Sequence, residues 1–295
     1  MADPRTRQLR FQGHRLVFDE YGEGNRTVLL LPPLLFSRRI HRPLAEALAD
    51  RGHRVLCLDL LGHGDSDRPP EMSNYSMTIF GGQGVALLDH LDISRAVVGG
   101  PSLGANASLE VAAAAPDRVR GLMIQMPVLD NALLGCALAF TPMLMGLTFG
   151  APVARLVGRA ANVVPRGTTH LADSLLDWIG QDPKPSASVL QGLFFGRVAP
   201  PADERRRMRQ PTLVIGHRRD PVHPFSDSDM LVRELPNARL IEADSIWELW
   251  TSPERLTGKI VPFIEQCFRS RQSGASRRSP ARGTSRGQAA RRRST

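Results

Sequence analysis

The chain is poor in cysteine. Cys57, Cys136 and Cys267 lie far apart in 295 residues with no C-x-x-C spacing, which excludes a disulfide framework and a cysteine-ligated zinc site. A charged segment leading into an apolar run and a cleavage site is also missing, because MADPRTRQLRFQG is polar and basic. No secretion is therefore expected, and a reducing cytoplasm is the expected compartment. No G-x-G-x-x-G follows a first strand, and neither a P-loop nor H-E-x-x-H occurs. LLGHGDS lies in a loop and opens no phosphate-binding helix, so neither a metal nor any other cofactor is expected.

Acidic residues are absent from Arg269 to Thr295, where nine arginines stand among Ser and Gly. Taking those nine from the 38 basic residues leaves 29 against 29 acidic ones, so the net charge of +9 belongs to this tail and the body is neutral. The tail has too few apolar residues to offset the entropy of ordering it. It is expected to be disordered, with at most weak, salt-sensitive affinity for polyanions and no specific nucleic-acid recognition.

What is present is a globular composition, 42% hydrophobic, patterned as alternating strands and helices. RQLRFQG and HRLVFDEYG read as an opening hairpin, and TVLLLPP as a buried strand. RPLAEALADRG follows as a helix ended by Gly52, then HRVLCLDL as a strand, GVALLDHLD as a helix and RAVVGG as a strand. VRGLMIQMP is the next strand. The rhythm then stops until PTLVIGHRRD, ARLIEA and ERLTGKIVPFIEQCF resume it. Such alternation implies parallel crossovers in a doubly wound α/β sheet. The expected organisation is a core of residues 1–129 and 209–268, an inserted helical cap at 130–208 and the tail at 269–295.

Within VVGGPSLGANASLEVAAAA, the five residues Gly100 to Gly104 fit G-x-S-x-G between a β-branched run and an alanine-rich helix that stops before Pro116. A serine on such a strand-to-helix turn is held clear of its own backbone, and glycines are needed where the turn is tightest. Ser102 is thus a candidate nucleophile. A serine hydroxyl needs a base within reach and a group that orients that base.

Four stretches, LLLPPLLFS, LDLLGHGDSDRP, GPSLG and LVIGHRRDPVHP, together resemble the α/β-hydrolase fold superfamily over about residues 8 to 268, in its serine esterase and lipase-like branch with a helical lid. The resemblance implies that Ser102 is the nucleophile and Asp220 the acid, and that the oxyanion hole is formed by the N–H groups of Leu103 and Leu34. Pro32-Pro33 stands where the family usually has His-Gly. Serine at the elbow sets the chain apart from epoxide hydrolases and haloalkane dehalogenases of this fold, which carry aspartate there. The family's histidine lies shortly before a Pro-Glu that opens the last helix, yet EADSIWELWTSPERL has none; the slot falls near Ser245 or Ile246.

Three answers stand for the base. His223, three residues past Asp220, is one. Glu248 is another, if desolvation raises its carboxyl toward neutrality, and the absence of any competent base is the third. His14, His53 and His90 read as surface or packing residues, and His63 as a loop-shaping one. His41 would border the oxyanion loop, His170 lies in the insertion, and His217 precedes the acid turn. Residues 131–154 are uncharged. Pro142, Pro152 and their place between strands of one sheet argue for a Leu-, Met- and Phe-lined lid over a membrane span. Such a lid suits a small hydrophobic acyl or aromatic substrate, unless the same residues only pack on the sheet. Two functions follow: a serine hydrolase of carboxylic esters or related acyl bonds with its histidine missing from the usual loop, or an impaired hydrolase-fold protein that binds a hydrophobic ligand or a protein. Oligomeric state is not legible.

Overall fold

The structure, a computed structural model, describes residues 3–167 and 169–269. In chain order the elements are β1 (Arg5–Phe11), β2 (His14–Tyr21), β3 (Thr27–Leu30), α1 (Arg42–Ala49), β4 (Arg54–Leu58), α2 (Met77–His90), β5 (Ala96–Pro101), α3 (Leu103–Ala114) and β6 (Val119–Gln125). Next come α4 (Leu133–Phe149), α5 (Ala151–Val163), α6 (His170–Ile179), α7 (Pro183–Phe195) and α8 (Ala202–Arg205). The chain then returns to the sheet with β7 (Thr212–Gly216), α9 (Phe225–Glu234), β8 (Ala238–Glu242), α10 (Glu248–Thr251) and α11 (Glu254–Arg269). Arg269, the first residue of the expected tail, closes α11, and 270–295 lie outside the described residues.

The eight strands form one sheet in the order β1-β2-β4-β3-β5-β6-β7-β8. β1 and β2 pair antiparallel, as do β2 and β4, and every pairing from β4 to β8 is parallel. This is an α/β-hydrolase fold. β3, β5 and β7 are buried along their whole length, as parallel strands covered on both faces must be. Their alternating side chains divide between two cores. Leu29, Val98, Ile124 and Val214 meet α2, α3 and α9 on one face, while Val28, Val97, Met123 and Ile215 meet α1 and α11 on the other.

α2 starts earlier than the GVALLDHLD pattern suggests, at Met77, where Ser76 caps it by accepting the N–H of Ile79. Gly81 and Gly84 lie inside it. A Cβ on Gly81 would collide with Glu110 and one on Gly84 with Val111, so these glycines let α2 and α3 pack closely at a propensity cost of about 1 kcal/mol each. The segment between β6 and β7 is helical, with α4 resting on α7 and α5 on α6.

Candidate active site

The site forms at the carboxyl edge of the parallel strands, where open α/β sheets place their crevices. β5 ends at Pro101, and Ser102 turns the chain directly into α3 with φ at +54°, a left-handed value that costs a non-glycine residue energy. Two bonds hold it there, its N–H to the carbonyl of Gln125 at 2.9 Å and its carbonyl accepting from Asn106 N–H at 3.1 Å. A Cβ on either Gly100 or Gly104 would strike the carbonyl of Leu31. These two glycines therefore bring the elbow against the strand that leads into the Pro32-Pro33 loop.

That loop turns at Pro33–Phe36, closed by Phe36 N–H to the Pro33 carbonyl at 3.1 Å, with Leu35 at φ +62°. It is anchored from behind by the Asp59 segment. Buried Arg38 pairs with Asp59 and with Asp19, the latter at 2.9 Å. Asp59 also accepts the N–H of Asp65 at 2.8 Å, and its carboxylate occupies the space a Cβ on Gly64 would need. The LDLLGHGDSDRP stretch thus acts through position, fixing the loop that carries Leu34. The N–H groups of Leu34 and Leu103 take no hydrogen-bond partner among the described residues, and both residues line one cavity with Ser102.

Beyond β7, the sequence Asp220-Pro221-Val222-His223-Pro224 forms a tight turn. Asp220 Oδ1 accepts the N–H groups of Val222 and His223, each at 2.9 Å, and Oδ2 accepts from His223 Nδ1 at 2.8 Å. The other ring nitrogen, Nε2, lies 2.8 Å from Ser102 Oγ. Burial raises the Asp220 carboxyl, but the hydrogen bonds and charge of His223 and the two N–H donors outweigh it and hold the group below its ordinary value. An ionised Asp220 can only accept, so the proton resides on Nδ1, and Nε2 is free to accept from the serine hydroxyl. Pro221 fixes φ within the turn and Pro224 leads into α9. The structure brings Ser102, His223 and Asp220 into one line.

Glu248 is not part of that line, and the expectation of a raised carboxyl is overturned. Burial alone would raise it, but Arg255, with Nε 2.7 Å from Oε1 and Nη2 2.6 Å from Oε2, and the N–H of Asp244 hold it below its ordinary value. Burial lowers His41 and His63 to about 4 and keeps both neutral, with His63 Nδ1 on the Leu61 carbonyl at 3.0 Å. His53 lies beneath Phe268, and His217 Nε2 meets the Asp244 carbonyl at 3.2 Å.

Ser102 opens on two apolar cavities. One, of about 210 Å³, runs beneath α4 and α7 past Leu133, Cys136 and Phe194; burial pushes the Cys136 thiol up to about 11, leaving it an inert wall. The other, of about 270 Å³, contains Asp220 and His223 and is walled by Phe36, Trp178, Trp247 and Trp250. These are all three tryptophans of the chain. Leu34 and Phe140 border both cavities, and among the described residues no lysine or arginine lines either. The aromatic wall was not read from the sequence, although WELW just past the empty histidine slot was its signal. Ile246, at that slot, faces the second cavity.

A family model described as the alpha/beta hydrolase fold matches residues 26–145. The chain is 38% identical over 112 residues to bifunctional epoxide hydrolase 2 of Mus musculus, a match covering 37% of this chain and only a fifth, 20%, of that protein's length. It is 28% identical over 270 residues to a 2-hydroxy-6-oxononadienedioate/2-hydroxy-6-oxononatrienedioate hydrolase of Paraburkholderia xenovorans, covering 85% of this chain and 90% of the relative. Among solved structures, an enol-lactonase from Burkholderia xenovorans superposes with a TM-score of 0.72 at 22% identity, over 88% of this chain and all of the other. The chain thus has the α/β-hydrolase fold, and the family model of that description matches it over residues 26–145.

Proposed function

We propose that the protein is a serine hydrolase that cleaves a neutral carboxylic ester, or a related acyl bond, carrying an apolar group on each side of the carbonyl. The observation that carries this reading is the relay from Ser102 Oγ to His223 Nε2 and from His223 Nδ1 to Asp220, 2.8 Å at each step. Ser102 Oγ attacks the carbonyl carbon while His223 takes its proton, and the oxyanion is received by the N–H groups of Leu103 and Leu34. The tetrahedral intermediate expels the alcohol, which leaves with the proton from His223. Water, deprotonated by the same ring, then releases the acid and restores Ser102.

The two cavities that meet at Ser102 support separate seats for the acyl and alcohol portions. Their lack of cationic side chains disfavours a carboxylate-bearing substrate of the kind named for the Paraburkholderia relative. Serine in place of aspartate at the elbow disfavours the epoxide chemistry named for the mouse protein. A fluorophosphonate probe tests the reading. Stoichiometric labelling of the wild type that is lost in Ser102→Ala and His223→Gln is expected, whereas an unlabelled wild type would favour a ligand-binding role for the same cavities.

A further inference from the structure

The lid has a second side. α4 sends Cys136, Ala137, Phe140 and Met143 inward to the cavities, but its outward residues are equally apolar. Leu138 is 70% exposed and Phe149 79%, with Leu134 and Met145 also exposed. α5 follows at once and repeats the arrangement. Gly158 and Ala161 are its buried residues, while Val153, Leu156, Val157 and Val163, at helical spacing, are exposed, Leu156 at 67%. Soluble proteins rarely leave so much apolar surface on consecutive helices without an occupant.

Charge distinguishes the occupants. From Asn131 to Ala172 there is no aspartate or glutamate. Arg155 and Arg159 stand exposed, one turn apart on α5, and make no ion pair among the described residues. Residues 270–295 add eight arginines and no acidic residue. An apolar helix face bordered by cations, with a polybasic segment in the same chain, complements the headgroup and acyl boundary of an anionic bilayer. A second copy of this chain would cover the apolar residues but would crowd like charges around the seam and leave the cations without a counterpart.

The stretch Asp130–Phe149 is long and apolar enough to span a membrane, with a mean hydropathy of 1.8. Its inward side chains wall the same cavities as Ser102, however, and cannot also face lipid. We infer that the outward faces of α4 and α5 dock the lid, lying in the plane of the surface, onto an anionic lipid membrane. The docking does not depend on the catalytic reading.

The test is flotation of the full-length protein with vesicles of phosphatidylcholine alone and of phosphatidylcholine mixed with phosphatidylserine. Binding to the mixed vesicles, weakened by salt and by about fivefold for each of Arg155→Gln and Arg159→Gln, is expected. The double variant Leu138→Asp, Leu156→Asp should lose flotation while keeping its melting temperature, since both side chains are exposed and line neither cavity. Truncation after Arg269 should weaken flotation without ending its dependence on Leu138 and Leu156. The proposal is overturned if the wild type does not float, if the aspartate variant floats unchanged, or if truncation alone abolishes binding. A dimer broken by the aspartate variant, with no vesicle binding, would assign the face to a second copy instead.

Discussion

Two segments leave the same edge of the sheet one strand apart, after β7 and after β8, and their compositions are opposed. The first, residues 217–224, is short and polar and holds Pro221 and Pro224, and both oxygens of Asp220 are used within three residues. The second, residues 243–253, carries Ile246, Trp247 and Trp250 into a cavity. In the family that this chain resembles, the second supplies the histidine. Here the first holds both acid and imidazole, and the second has become an aromatic wall. Under the proposed function, the difference teaches that a base is defined by where its nitrogens arrive, so an Asp-x-x-His turn would do from one loop what two loops otherwise share.

The contrast breaks most visibly at the turn after β7. His223→Gln should lower kcat/KM for a neutral ester on the order of 10⁶-fold, the scale on which triad nucleophile or base is lost, and Ser102→Ala should match it without lowering Tm. Asp220→Asn should cost about 10⁴-fold, because the ring then loses the acceptor that fixes its tautomer. Steady-state kinetics against one chromogenic ester check all three. Moving the base back sharpens the comparison further. In a His223→Gln background, Ile246→His should recover about tenfold, roughly 1.4 kcal/mol of barrier, since position 246 faces the same cavity as Asp220; no recovery would mean that the loop after β8 no longer converges on Ser102.

Smaller effects are expected on the aromatic side. Trp247→Ala should raise KM about tenfold for an ester with a ring on one side of the carbonyl, about 1.4 kcal/mol of lost contact, and change kcat little. Glu248→Gln should leave the rate within about twofold, being outside the relay, and cost about 1 kcal/mol after allowing for screening of the part-exposed Arg255, a Tm shift of about 2–4 °C. The sign with pH follows from the lowered carboxyl of Glu248. Its ion pair with Arg255 stabilises the fold above the unfolded carboxylate value, about 4.3, and that contribution is lost as pH falls through the lower folded value. Melting curves of the wild type and Glu248→Gln should therefore differ at neutral pH and converge in acid.

Most of the sheet was legible because its strands are short apolar runs between unmistakable turns, and Ser102 because its flanks switch from β-branched residues to alanine. Asp220 was legible as a strand-end acid. His223 could be named as a base only by its spacing from Asp220, since the 121 positions that separate it from Ser102 give no distance until the fold closes. Glu248 misled for a different reason. A carboxylate in an apolar loop suggests a raised value, and Arg255, seven residues later at the start of α11, together with the N–H of Asp244 reverses the direction. The lid was read as one surface when a helix has two, so the outward residues of α4 and α5 were merged with those that line the cavity.

The gathering of Trp178, Trp247 and Trp250 around one cavity has an optical consequence. Indole emission depends on the polarity and packing around the ring, and no other tryptophan in the chain dilutes the signal. Whatever enters that cavity displaces water from the same rings that produce the protein's intrinsic fluorescence, so occupancy can be followed by spectral shift and quenching with no added label. The adjoining cavity under Leu133 and Phe194 is dark by the same measure, and a ligand that fills it alone should leave the emission nearly unchanged. Chromophore placement thus lets a single titration report which side of the carbonyl a compound occupies.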